Sequence, residues 1–235
     1  MHCDKVRIMI KNERLLIELH KNKIIEKEHS ELRSGKHSDT YIRKTKITLY
    51  PKLYKDIIYE LAAEIGYQFK SHDYDIITGP AVVGLCFASP LSFLLDKPLI
   101  FPEKDFCDDI NKTISLDYKM EFRPEYRNLY NKRVIIIEDI ITTGESVAKT
   151  ARTIAEYGGI PIVVFCIWKR NSAITYIKYK RESEIETIIS GVSAFQIYHD
   201  IPIYSLINEK IIDWQPNECP ICNPEPNINN YGENP

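Results

Sequence analysis

Two adjacent carboxylates, Glu138 and Asp139, follow an uninterrupted β-branched run, Val134 to Ile137. They are followed in turn by Thr142, Thr143, Gly144, Glu145 and Ser146. The run reads as a buried strand, Arg133 to Glu138. The Thr-Thr-Gly stretch reads as a turn, and Glu145 to Tyr157 as a helix. In open α/β sheets, ligands bind at the carboxyl ends of strands. Backbone N–H groups at a helix N-terminus attract anions, and a glycine lets the backbone come close. The hydroxyls of Thr142, Thr143 and Ser146 add short donors. The two carboxylates can accept hydrogen bonds from vicinal hydroxyls about one sugar's length away. The chemistry expected is that of a holder for a phosphorylated pentose. Taken alone, the acidic pair could equally cap the following helix.

The elements needed to position such a site are legible around it. Pro51 opens a helical pattern through Leu53, Ile57, Ile58, Leu61 and Ile65, and proline suits a first helical turn. Tyr74 to Thr78 reads as a short buried strand ending in Gly79-Pro80. A helix is expected over 82–95, despite Pro90, and strands at Leu99–Phe101 and Pro161–Trp168. A further strand is expected at Thr187–Ile189. Alternating strands and helices imply a mostly parallel central sheet flanked by helices, an α/β fold. Residues 30–48 are polar and turn-rich around Ser34-Gly35. The first 20 residues carry one or two short amphipathic helices, and the tail after Trp214 wraps the surface or hangs loose. Residues 103–132 have no strong period and many charges, which predicts a long connection acting as a lid.

These motifs carry a resemblance. The 134–146 segment resembles the phosphoribosyl-pyrophosphate (PRPP) signature of type I phosphoribosyltransferases. Leu32-Arg33-Ser34-Gly35-Lys36-His37-Ser38-Asp39-Thr40-Tyr41 is similar to the N-terminal substrate segment of the orotate phosphoribosyltransferases. Thr78-Gly79-Pro80-Ala81-Val82-Val83-Gly84 resembles their pyrophosphate loop, and Trp214-Gln-Pro-Asn-Glu-Cys219-Pro-Ile-Cys222 a tail of one branch. The resemblance implies the type I phosphoribosyltransferase fold. A small hood would be formed by residues 1–48 and 201–235, around a core of 49–200. It implies transfer of the 5-phosphoribosyl group from PRPP to orotate in pyrimidine nucleotide biosynthesis. Mg²⁺ would ride on the pyrophosphate, with no direct protein ligands. The assembly implied is a homodimer.

Residue by residue, the resemblance implies that Glu138 and Asp139 hold the ribose hydroxyls. Thr142, Thr143, Gly144, Glu145 and Ser146 would hold the 5′-phosphate, and Gly79 and Pro80 the pyrophosphate. In this superfamily the first peptide of that loop is often strained or cis. Arg33 would contact substrate and pyrophosphate, and Tyr41 would pack on the orotate ring. Val83 stands where the family often carries Lys. The lid's basic run is thin, so its cations are sought among Lys104, Lys112, Lys119 and Arg123, with Lys119 and Lys104 foremost. Another nitrogenous base, or a PRPP- or nucleotide-sensing role with weak transfer, are the alternatives. Read without the resemblance, Arg33 and Lys36 are solvated turn charges, and Tyr41 is as readily a core residue.

Composition narrows the classes. The chain has 235 residues, 44% hydrophobic and 27% charged, with 31 Lys plus Arg against 33 Asp plus Glu. That balance argues against a nucleic-acid or lipid coat. No GxxxxGK[ST] or GxGxxG occurs, so P-loop and dinucleotide-binding readings have no anchor. The N-terminus, Met1-His2-Cys3-Asp4-Lys5, does not resemble a signal peptide, and no stretch is long and apolar enough to span a bilayer. A cytoplasmic, reducing setting is expected. Cys86 and Cys166 sit in apolar runs and read as core. Cys219 and Cys222 have metal-ligand spacing, but a zinc site needs about four ligands. No second CxxC exists, and His199, Cys107 or Cys3 could join them only through the tertiary fold. Structural or free cysteines are therefore expected.

Overall fold

The computed structural model describes residues 13–32, 35–105, 119–170, 175–180 and 198–223. They fall into two compact units. One is drawn from the described parts of Met1–Ile47 and Lys210–Pro235, the other from those of Thr48–Glu209.

The first unit holds helix α1 (13–21) and a hairpin, β1 (Ile25–Glu31) with β2 (His37–Ile42). Residues 30–48, expected as turns, are therefore largely regular: strand β2 leads into a 3₁₀ helix at Lys44–Leu49. The polarity misled because this small sheet buries little. Its apolar centre is Leu19, Ile24, Ile25 and Ile47. The two strands pair antiparallel, with a register shift between Lys27 and Ser30.

In the second unit, helix α2 (Pro51–Gln68) starts at the proline, as the spacing predicts, and buries Leu53, Ile57, Ile58, Leu61 and Ile65. There follow β3 (Ile76–Thr78), α3 (Val83–Leu94), β4 (Leu99–Ile100), β5 (Glu103–Asp105) and β6 (Lys119–Glu121). Next come β7 (Arg133–Ile141), α4 (Glu145–Glu156), β8 (Ile160–Lys169), β9 (Tyr176–Lys180) and β10 (Tyr198–Ile207). The tail's β11 (Asp213–Trp214) returns to the first unit and pairs with β2 at Ser38 and His37. The 103–132 connection is not without order, since β5 and β6 pair antiparallel within it. The expected strand at Thr187–Ile189 lies outside the described residues.

The main sheet runs β4-β3-β7-β8-β10-β9, parallel except for β9. From β3 the chain crosses through α3 to β4 on one side. From β7 it crosses through α4 to β8 on the other. Right-handed crossovers in opposite directions put α3 and α4 on opposite faces. The burial pattern agrees. Val134 and Ile136 of β7 and Val164 of β8 share one cluster with Val147, Ala151 and Ile154 of α4. The alternate residues Ile135, Ile137 and Phe165 are equally buried, and period two sends them to the α2–α3 face. There Phe69, just past α2, meets Phe165 edge to face. The strand order therefore reverses between β3 and β7, and a crevice opens where their following loops part.

Cys166 is fully buried, as expected. Cys86 is only half-buried, and its carbonyl accepts a hydrogen bond from the Tyr54 hydroxyl.

Candidate functional site

The two loops with phosphate-site composition flank that reversal. The first, after β3, is pressed onto β7 by two glycines. A Cβ on Gly79 would lie 2.7 Å from the Gly84 carbonyl carbon and 2.9 Å from the Ile137 carbonyl oxygen. A Cβ on Gly84 would lie 2.9 Å from the same Ile137 oxygen and 3.2 Å from Glu138 Oε1. Any side chain at either position would push this loop off the strand that carries the carboxylates. The cis peptide of this loop is Ala81–Val82 rather than the first peptide.

The strand β7 runs to Ile141, three residues past its predicted end, so Glu138 and Asp139 lie within it. Glu138 is 7% exposed and Asp139 0%. Each carboxylate is aimed by a backbone amide: Asp139 N–H donates to Glu138 Oε1 at 3.0 Å, and Ile140 N–H donates to Asp139 Oδ1. Across the next rung, burial pushes the Cys166 thiol up. The Glu138 carboxylate pushes it further, while Lys169 pulls it back. Glu138, Asp139 and Lys169 thus share one low-dielectric neighbourhood. Lys169 is 6% exposed, opposite Ile141 at the end of β8. Sequence reasoning passed it over. Its signal was a basic residue ending an apolar strand, since lysine is rarely buried without a counter-charge.

The second loop leaves β7 at Thr142. The side chains of Thr142 and Thr143 are exposed, and Ser146 is half-exposed. Gly144 sits just before α4 with φ +80°, and a Cβ there would crowd Ile177 Cδ1, the movable end of a side chain. Backbone conformation is therefore what requires glycine here. Thr143 Oγ1 accepts from Glu145 N–H at 3.4 Å. Glu145 is drawn toward Lys149, at 2.9 Å along the helix. What remains is a helix N-terminus ringed by hydroxyls, an arrangement that binds phosphate oxygens.

The remaining expected residues are more dispersed. Arg33 and Lys112 lie outside the described residues. Tyr41 belongs to the first unit. It is 37% exposed on β2, with the Arg43 guanidinium 5.1 Å from its ring centroid, so it is not a core residue. Lys36 pairs with Asp213 at 2.9 Å. Lys104 is a β5 residue and Lys119 a β6 residue, at the neighbouring register positions Lys104↔Met120 and Asp105↔Lys119. Arg123 is engaged by Glu103 at 2.7 Å.

In the first unit, Cys219 and Cys222 are free cysteines, as expected, and the structure brings beside them two histidines that sequence reasoning did not name. The ring nitrogens of His29 and His37 meet both sulfurs, and the four ligand atoms lie within 4.8 Å of one another. Spacing could not show this, because the histidines lie about 190 residues upstream in the chain. Cys3 and Cys107 lie outside the described residues.

Comparison with known proteins agrees with this architecture. Residues 48–200 match the phosphoribosyl transferase domain model. The orotate phosphoribosyltransferase of Caldanaerobacter subterraneus subsp. tengcongensis is 27% identical over 213 residues, covering 91% of this chain and 93% of that protein. That of Thermoanaerobacter sp. is 26% identical, covering 85% of each. Among solved structures, the orotate phosphoribosyltransferase of Aeropyrum pernix superposes with a TM-score of 0.57 at 21% identity. It covers 83% of this chain and 93% of that one. The match spans most of the chain and contains both crevice loops and the strand between them, so this protein belongs to the phosphoribosyl transferase domain family.

Proposed function

We propose that this protein is an orotate phosphoribosyltransferase, moving the 5-phosphoribosyl group of PRPP to orotate and releasing pyrophosphate. The observation carrying the reading is the pairing of two anion-suited loops across the β3–β7 reversal, with amide-aimed carboxylates between them. The similarity to named orotate enzymes over 91% of the chain supports orotate as the base.

The reaction follows from the residues. Amides at the start of α4, with Thr142, Thr143 and Ser146, hold the 5′-phosphate. Gly144 keeps that backbone open, and Glu145 closes the loop's rim. Glu138 and Asp139 face the ribose, where preorganised negative charge stabilises the cationic character that develops at C1 as pyrophosphate leaves. Gly79 and Pro80 hold the leaving group's side of the crevice. The family resemblance assigns Lys104 and Lys119 to the pyrophosphate and Arg33 and Tyr41 to orotate.

Mg²⁺ fits this crevice as an ion carried on substrate. Glu138 and Asp139 each already accept a backbone N–H, which leaves the ion to the substrate's phosphates. Mg²⁺ commonly binds through substrate phosphates, keeping several waters. When bound, it neutralises charge on the leaving pyrophosphate.

We further propose a cytoplasmic homodimer. Val82, Phe93 and Tyr67, 73%, 89% and 70% exposed, are apolar side chains that a second copy would cover. Among the described residues, no helix is long and apolar enough to cross a membrane.

The test mixes the protein with PRPP, Mg²⁺ and orotate and follows orotate absorbance. Orotate should be consumed only with all three present. PRPP binding by calorimetry without loss of orotate would overturn orotate as the base.

A further inference from the structure

The first unit gathers four potential ligands, none of them among the residues proposed above for the transfer reaction. His29 Nε2 lies 3.2 Å from His37 Nδ1, 3.5 Å from Cys219 Sγ and 3.4 Å from Cys222 Sγ. Cys222 Sγ is 3.3 Å from His37 Nδ1. Hydrogen bonding alone does not account for this convergence. His29 Nε2 has a single lone pair or a single proton, yet three groups crowd it at once.

A metal does account for it. Tetrahedral zinc has Zn–N of about 2.0–2.1 Å and Zn–S of about 2.3 Å, which holds its ligand atoms about 3.3–3.8 Å apart. Three of the four distances fall in that range and the His29–His37 distance just below it, and all four ligand atoms lie within 4.8 Å of one another. Two thiolates and two neutral imidazoles also cancel the charge of a divalent ion. Cys219, which is fully buried, can then be a thiolate without an uncompensated charge.

The local folding serves this cluster. Glu31 pairs with His37 across the hairpin, and His29, inside the register shift between Lys27 and Ser30, sets its ring edge-on to that of His37 with centroids 4.9 Å apart. Strand β11 then pairs with β2 at His37. A 3₁₀ turn at Pro216–Glu218 follows and carries the chain back to the cysteines. The Asn223 amide closes this knuckle by donating to the carbonyls of Pro216, Asn217 and Cys219.

We propose that His29, His37, Cys219 and Cys222 form a Cys₂His₂ site for one zinc ion, a structural clasp tying the C-terminal tail to the β1–β2 hairpin. The two histidines bracket the hairpin tip, which is closed by Leu32 N–H to Lys36 C=O at 2.7 Å and Gly35 N–H to Leu32 C=O at 2.8 Å. The ion would hold both legs of that tip. With four protein ligands the site has no open position, which fits a structural rather than a catalytic metal.

The test uses the full chain, purified under reductant and measured independently of any transferase activity. Elemental analysis should find one zinc per chain. Replacement by Co²⁺ should give the intense visible bands of a tetrahedral ion with thiolate-to-metal charge transfer. The double variant C219S/C222S should lose both signals, H37A should weaken binding by about a hundredfold, and C86S should leave all of them unchanged. Absence of stoichiometric zinc after reconstitution would overturn the site, as would retention of the metal by C219S/C222S. Should a variant fail to fold, the parent chain's cobalt spectrum decides alone: an octahedral spectrum lacking thiolate charge transfer refutes the clasp.

Discussion

Gly84 stands so close to Glu138 that a methyl group on it would come within 3.2 Å of the carboxylate Oε1. The loop after β3 and the acidic end of β7 are thereby one packed object. Gly84→Ala should force them apart, at a cost of about 1–3 kcal/mol, and lower turnover by more than about tenfold. Thermal denaturation and steady-state kinetics on the same preparation check both effects. An alanine variant with parental turnover would show that the crevice tolerates the displacement.

Asp139→Asn keeps the oxygen that accepts from Ile140 N–H but removes the negative charge. The expected outcome is a folded protein whose transfer rate falls more than about tenfold, because charge facing the developing cation is lost. Circular dichroism and rate measurements separate the two. An unchanged rate removes Asp139 from the ribose role.

Gly144→Ala places a Cβ at φ +80°, a backbone conformation that L side chains rarely adopt. The strained backbone should cost about 1–3 kcal/mol. The cup should loosen, raising KM for PRPP more than that for orotate. Equal rises in both would point to general unfolding rather than to the 5′-phosphate loop.

Lys119→Ala is expected to slow turnover more than it weakens PRPP binding, as for a cation that acts on the leaving group. Calorimetric titration with PRPP beside kinetic assays reads the two effects. Equal rates in variant and parent would exclude Lys119.

Asp75 gives a pH dependence of stability. Its carboxylate receives the Arg133 side chain at 3.1 Å and the Arg133 backbone N–H at 2.8 Å. These hydrogen bonds hold its pKa below the ordinary 3.8, against the opposing effect of burial. A depressed folded-state pKa contributes stability that is fully present above the unfolded value. That stability is lost as pH falls through the folded one. Asp75→Asn should therefore destabilise the protein at neutral pH, and the difference from the parent should shrink below about pH 4. Denaturant midpoints across that range test it, and a constant difference would exclude the ion pair as the cause.

The strand, turn and helix proposed to hold the 5′-phosphate were legible in the sequence because their logic is local. A β-branched run makes a strand. Small hydroxyl residues and a glycine make the turn, and the next amphipathic stretch makes helix α4. Periodicity likewise announced α2 and the parallel strands. The tertiary structure alone decided that β7 runs on through its carboxylates, that Lys169 is buried opposite Ile141, and that Gly79 and Gly84 are packed against that strand. It also turned an isolated Cys219–Cys222 pair into half of a four-ligand cluster. Hydrophobic spacing reports which face of an element is buried. It carries no record of which distant residue will lie against that face, so a contact between residues 29 and 219 exists only once the hairpin and the tail strand have paired.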